Sequence, residues 1–266
     1  MGPPLAIAES PEPSTTSSSF NGVRLSSRIM PAARATGGGD WCESFVVSKD
    51  IVALSIGDVC GHGLEKVAAM VAVRQAIRDA ACQGLDPAQT LAAANRFLRR
   101  YDPGENATAM VALLNTCQRT LVFANAGHPP PLMAGPCGTL FLEYPESDLP
   151  LGIEATILPT LHVISVPAAT LFVLYTDGVT EHDRKPLQGE AQLHDAAMFA
   201  YQLSTLPTAA VIEKQMFLTG SNSDDAAILT AWTPLSPIMR NTSSRRQIRR
   251  ERVVNAAFHA VPYGAG

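Results

Sequence analysis

The sequence predicts an α+β sandwich. Strand-like runs come in adjacent pairs, helix-like segments stand apart from them, and the strict strand–helix alternation of a doubly wound sheet is absent. With 266 residues, 46% of them hydrophobic and 17% charged, the chain has enough apolar material for one large core and does not read as disordered.

Taken in order, residues 1–20 are dominated by Pro, Ser and Thr (PEPSTTSSS). Such a stretch buries too little to offset its ordering entropy, so it reads as a disordered lead before a domain at 21–233. Phe45–Val47 and Ile51–Ile56 form a first strand pair. Leu64–Cys82 follows Gly63 as a helix, and Pro87–Arg100 follows Asp86 as a second, with proline in the first turn where its missing N–H costs nothing. Thr108–Leu114 and Thr120–Ala124 form the second strand pair, and Leu161–Val166 and Thr170–Tyr175 are further strands. Helical patterns occupy roughly 191–203 and 207–219, and Ala226–Ala231 is the last strand. Residues 234–266 read as a flexible, Arg-rich tail.

Charge is uneven. The tail carries six arginines against one glutamate, +5, which leaves −9 for the remainder of a chain whose total is −4. An acidic body lacks the basic stripe of a nucleic-acid binder. Five cysteines with no C-x-x-C pair argue against a disulfide framework and a structural zinc site, and fit a reducing compartment. No apolar run approaches about 18 residues, and the N-terminus lacks a secretion signal, so the expected location is the cytoplasm, with no membrane partner.

Four segments place an aspartate where an extended run meets a turn or small residue. They are GGGDW (Asp40), SIGDVCGHG (Asp58), LYTDGVTE (Asp177) and SNSDDAAIL (Asp224, Asp225). Aspartates at strand ends can converge on one rim of a sheet, and glycine beside them allows sharp turns. No Lys or Arg lies inside these segments. Unpaired carboxylates brought together raise one another's pKa, and hard divalent cations with oxygen ligands relieve this. Two such ions about 3.5–4 Å apart can clamp a phosphoryl group for in-line attack. A lone Asp-Gly is usually just a turn and DDAA could be a cap, but GDVCGHG is a costly loop unless its backbone approaches something closely.

The series GGDW, GDVCGHG, NAGHPPPL, LYTDGVTE and DDAAIL resembles the SpoIIE/RsbU-type branch of the metal-dependent (PPM) protein serine/threonine phosphatases, over about residues 30–232. The resemblance implies an αββα four-layer sandwich of two antiparallel sheets flanked by helices, with two Mn²⁺ or Mg²⁺ ions in a cleft at one end. It also implies hydrolysis of phosphoserine or phosphothreonine by a metal-bridging water, without a phosphoenzyme. Carried over, Asp58 bridges both ions with help from the Val59 carbonyl and the loop at Gly61. Asp177 and Asp225 complete one ion's shell, and Asp40 serves the other. Asp58, Asp177 and Asp225 thus become the catalytic set. Asp225 is favoured over Asp224 by motif register, and Glu43 takes an outer role where many relatives have a second aspartate. The implied partner is a phosphorylated anti-sigma-factor antagonist of STAS type in bacterial stress or developmental signalling; a second copy of the chain is also compatible.

Other residues have blander readings beside functional ones. His62 either orients a bound water or phosphate or fixes its turn. His128 and Asn125 shape the cleft wall, mainly structurally. Cys60 suits a buried packing role better than a hard-oxygen site. Ser55, Ser221 and Ser223 lack a base motif, so a serine nucleophile is unsupported. Lys66 is a solvated helix-start residue or a contact for substrate phosphate. The rival of another class is a weakly catalytic, metal-binding docking module for a phosphoprotein. A nucleotide cyclase is disfavoured because Trp41 and Cys42 follow GGD, and no P-loop or HExxH motif occurs.

Overall fold

The computed structural model describes residues 14–32, 38–61, 63–144, 148–181, 185–203, 207–218 and 224–234. The chain opens with β1 (Ser14–Phe20) and β2 (Val23–Met30), a hairpin, followed by a second hairpin, β3 (Asp40–Ser48) and β4 (Ile51–Val59). Two helices come next, α1 (Leu64–Cys82) and α2 (Pro87–Tyr101), then β5 (Ala107–Asn115), β6 (Thr120–Ala126), β7 (Leu132–Gly135) and β8 (Gly138–Phe141). β9 (His162–Ser165) and β10 (Thr170–Tyr175) precede the short α3 (Gly178–Glu181). Helices α4 (Pro186–Gln202) and α5 (Thr208–Met216) and the strand β11 (Ala226–Thr233) complete it.

The strands form two antiparallel sheets, one in the order β1-β2-β11-β10-β7-β8 and the other β3-β4-β5-β6-β9. Their facing sides enclose a core that includes Leu54, Ile56, Phe123, Phe172 and Leu229. Helices α1 and α2 cover the outside of the five-stranded sheet through Val73, Ile77, Leu91 and Leu98, packed with Trp41. Helices α4 and α5 cover the other sheet through Leu193, Ala197 and Ile212. The result is the expected helix–sheet–sheet–helix stack. Trp41, wholly buried, donates its Nε1–H to Ser55 Oγ at 3.0 Å, so the largest core side chain leaves no orphan donor.

Local signals account for the helix ends. Asp86 accepts from the Gln89 N–H at 2.8 Å and Gln89 reaches back to the Asp86 N–H, a capping box with Pro87 behind it. In the same connection, Gly84 (φ 87°) closes α1, with Leu85 N–H donating to the Ala80 carbonyl and Gly84 N–H to that of Ala81.

The boundaries need correcting at the front. Residues 14–20 are not a disordered lead: they form β1, paired residue for residue with β2 from Ser14↔Ile29 to Phe20↔Val23. Backbone hydrogen bonds to a neighbouring strand hold them, which composition does not reveal. Residues 1–13 and the expected tail beyond Pro234 lie outside the described residues. Strands β2, β7 and β8 also escape the sequence reading, although β9, equally short at four residues, falls inside the expected Leu161–Val166.

Candidate metal centre

Both sheets contribute to one rim. Asp40 opens β3 and stands directly across from Asp58 near the end of β4. From the other sheet, Asp177 follows the end of β10 and Asp225 immediately precedes β11. Thr176 stitches the two sheets together. Its Oγ1 donates to Asp40 Oδ2 at 2.7 Å and accepts from the Ala227 N–H at 2.8 Å. Asp225 is anchored from the side, its Oδ1 accepting from the Ala32 N–H at 2.8 Å.

The glycines act mainly through space, not through turns. A Cβ on Gly38 would overlap the Asp225 carboxylate, one on Gly39 the Val59 carbonyl and Asp58 Oδ1, and one on Gly178 the Asp225 carbonyl. None of these three has a left-handed backbone. By contrast Gly61 (φ 96°) and Gly63 (φ 107°) carry the loop after Asp58 through a conformation that side-chain-bearing residues avoid. The GGGD and GDVCGHG motifs thus use glycine for two different reasons.

Electrostatically the rim is short of positive charge. Burial raises Asp40 well above the usual carboxylate range, and the charges of Asp58 and Asp225 push it further, against the Thr176 hydrogen bond. Asp58 is pushed up to about 6 by burial and by Asp177, Asp224 and Asp225, opposed by a hydrogen bond with Asp40. Asp177 is raised by burial and by Asp224. Cys60 does not take the expected buried packing role: it is exposed in the loop after β4, where partial desolvation and the charges of Asp58, Glu105 and Asp177 raise its thiol pKa. Among the described residues, no cation is among the groups acting on these aspartates. Among the described residues, no three acidic, imidazole or thiol groups close into a ready ligand shell. The donor set is nonetheless all oxygen, several carboxylates and a backbone carbonyl held by glycine, which suits a hard divalent cation and not zinc or copper.

Around the rim, Asp225 is buried whereas Asp224 is exposed, and Asp224 Oδ1 accepts from the Asp225 N–H at 2.8 Å, so Asp224 braces its neighbour. Glu43 does not join the site. It lies three positions after Asp40, on the opposite face of β3, where its Oε2 accepts from Arg78 of α1 at 2.7 Å. His62 lies outside the described residues, as do Ser221 and Ser223. Asn125 clamps the following loop, donating to the His128 carbonyl and accepting from its N–H, each at 2.7 Å. The His128 ring is buried and its Nδ1 pairs with Thr108 Oγ1 at 3.0 Å, while Thr108 stands opposite Asp58 in the sheet. Burial drives the His128 pKa down to about 3, so the ring is neutral and acts as a strut. Lys66, partly exposed at the helix start, is not free: its Nζ is paired with the buried carboxylate of Glu105, and its stem packs against Gly61.

Sequence reasoning missed Thr176, Ala32 and Glu105. Thr176 had the one available signal, its place beside Asp177 in YTDG; the others act across long sequence separations.

Comparisons with known proteins agree with this architecture. The family model described as Stage II sporulation protein E (SpoIIE) matches residues 48–234. The chain is similar to the phosphoserine phosphatase RsbU of Bacillus subtilis (strain 168), 27% identical over 138 residues, which is 52% of this chain but 41% of that protein. It is also similar to the structure of the RsbU and RsbW domains of Rv1364c from Mycobacterium tuberculosis, with a TM-score of 0.70 and 28% identity, covering 80% of this chain and 60% of that one. RsbX, solved in complex with magnesium, shares the fold at a TM-score of 0.64 and 14% identity, covering 82% of this chain and 99% of that one.

Proposed function

The chain belongs to the SpoIIE family, and from that premise we propose that it is a metal-dependent protein serine/threonine phosphatase working in bacterial signalling. The carrying observation is the rim itself: Asp40 and Asp58 paired across β3 and β4, locked through Thr176 to the sheet that bears Asp177 and Asp225. Two Mn²⁺ or Mg²⁺ ions fit the count and chemistry of the donors, and magnesium in the fold neighbour RsbX supports the choice of a hard ion.

In this reading Asp40, Asp58, Asp177 and Asp225, together with the Val59 carbonyl, are the groups that would hold the ions. Bound ions supply positive charge for a phosphoryl group and acidify a water for use at neutral pH. The protein supplies position. Thr176 fixes one Asp40 oxygen, Ala32 and Asp224 fix Asp225, and the glycines admit the closest approaches. His128, neutral and tied to Thr108, shapes the wall without carrying a charge. The substrate is a phosphorylated serine or threonine of a protein, of the STAS type that partners phosphatases of this kind.

Purified protein is assayed with Mn²⁺ on a phosphorylated STAS domain and on an aryl phosphate, with Asp58→Asn alongside. Metal-dependent release of phosphate by the intact chain, lost in the variant, is expected. Tight binding of the phosphoprotein with no turnover at saturating Mn²⁺ would replace the phosphatase with a docking module.

A further inference from the structure

The chain leaves the rim through a loop that its surroundings grip at three points. Val59 N–H donates to the Gly39 carbonyl at 3.2 Å and Cys60 N–H to the Asn106 carbonyl at 3.0 Å, so the peptide that carries the Val59 carbonyl is tied at its own N–H and at the one before it. The third point is a side chain. Lys66, in the first turn of α1, folds back along Gly61 and pairs through Nζ with Glu105 Oε2. A Cβ on Gly61 would stand 3.2 Å from Lys66 Cε, so the lysine stem lies directly on the loop.

Neither partner sits where its charge is comfortable alone. Lys66 is the third residue of α1, after the N-cap Gly63, where the helix dipole disfavours a cation. Glu105 is 9% exposed, and a carboxylate that deep needs a counter-charge. The hydrogen bond to Glu105 raises the Lys66 pKa, and the charges of Glu105, Asp102 and Glu65 act the same way against burial, so the ammonium keeps its proton. The Glu105 end is a fixed post. Its N–H donates to the Asp102 carbonyl at 3.2 Å, and Gly152 lies so close behind its carbonyl that a Cβ there would overlap it. Gly152 is in turn clamped to α2, accepting from Arg99 and donating to Asn95 Oδ1, each at 2.7 Å. Through the ion pair, the loop after Asp58 is braced against α2.

We propose that Lys66 and Glu105 are positioning residues for the metal centre: their ion pair straps the loop at Gly61 and so keeps Asp58 and the Val59 carbonyl in place for a hard divalent cation. The inference rests on reading the aspartate rim as a metal centre. It also assigns Lys66 away from the substrate. With its ammonium engaged by a buried carboxylate, Lys66 acts on the loop and not on a phosphate oxygen. Residues that support metal ligands in this indirect way typically change metal affinity by about 10–100-fold when they are removed.

Calorimetric titration with Mn²⁺, no substrate present, is run on the intact chain, Lys66→Gln, Glu105→Gln and the double variant, beside melts in EDTA. Each single substitution should weaken Mn²⁺ binding by about tenfold or more. The double variant should bind no more weakly than the worse single one, because the two side chains act as a unit. Lys66→Arg, which keeps the charge, should recover most of the affinity. At saturating Mn²⁺ the KM for an aryl phosphate should match that of the intact chain. Unchanged Mn²⁺ affinity in both single variants overturns the proposal even where the melt falls, since the pair then only stabilises the fold. So does a raised KM in Lys66→Gln with Glu105→Gln unaffected, the signature of a phosphate contact. Should Glu105→Gln fail to fold, Lys66→Gln, altered at a partly exposed side chain, decides the matter. An intact chain that takes up no Mn²⁺ brings down the metal reading and this inference together, whereas Mn²⁺ bound equally by all variants brings down the inference alone.

Discussion

At the scale of single residues, Asp58 concentrates the chemistry and its cost. Its carboxyl is raised to about 6 from an ordinary 3.8, so the folded chain holds a proton there that the unfolded chain has released. Stability of the metal-free protein should therefore fall as pH rises from about 4 to about 6, and the fall should be smaller in Asp58→Asn; thermal melts in EDTA across this window measure both. Affinity for Mn²⁺ should rise over the same interval, because a ligand carboxyl must lose its proton first, and calorimetric titration reads it. Asp177→Asn should reduce turnover by more than about a hundredfold with the melt essentially unchanged, since Asp177 is a partly solvated group at the rim. An unfolded Asp177→Asn protein would show a structural role instead. Thr176, unlike these, is wholly buried and bridges two sheets, so its substitution by valine should cost both stability and metal affinity.

At the scale of elements, two glycine loops carry opposite kinds of constraint. Gly178→Ala drives a methyl group into the Asp225 backbone between β10 and β11, and Gly38→Ala drives one into the Asp225 side chain. Both should weaken Mn²⁺ binding strongly, with Gly178→Ala also losing about 1–3 kcal/mol in denaturant titration. Gly63→Ala meets nothing within 4 Å, yet its backbone is left-handed. Its penalty should stay near 1–2 kcal/mol, the cost of the conformation alone. The Lys66–Glu105 pair ties the first turn of α1 to the loop before β5, beside Gly61. It gives a long cationic residue beside a metal-type loop a structural partner.

At the scale of the whole molecule, the sandwich is a frame in which each sheet delivers half of the rim. Strand β1 closes one edge of the six-stranded sheet, with its seven residues paired to β2. Deletion through Phe20 should expose the hydrogen-bonding edge of β2 and promote association, detected by light scattering. Removal of residues 235–266 should leave turnover of an aryl phosphate intact; a collapse of that activity would make the Arg-rich segment part of the enzyme. Among the described residues no helix is long and apolar enough to cross a membrane.

Much of this was legible in the chain order alone. Strand-like apolar runs in adjacent pairs, the Asp86–Pro87 helix start and the four aspartates at strand ends are local patterns, and local patterns survive in one dimension. Helix α1 begins and ends where the sequence placed it, at Leu64 and Cys82. What the sequence could not carry is proximity. Asp40 and Thr176 are 136 residues apart, and Ala32 and Asp225 are 193 apart, so their hydrogen bonds exist only once the sheets stack. The same stacking turned Glu43 away, since the alternation of β3 sends it to the helix side. Residue types and their spacing set which elements form, because those depend on nearby backbone and side-chain geometry. Which side chains meet was decided by the pairing and packing of strands, which minimises exposed apolar surface over the entire fold.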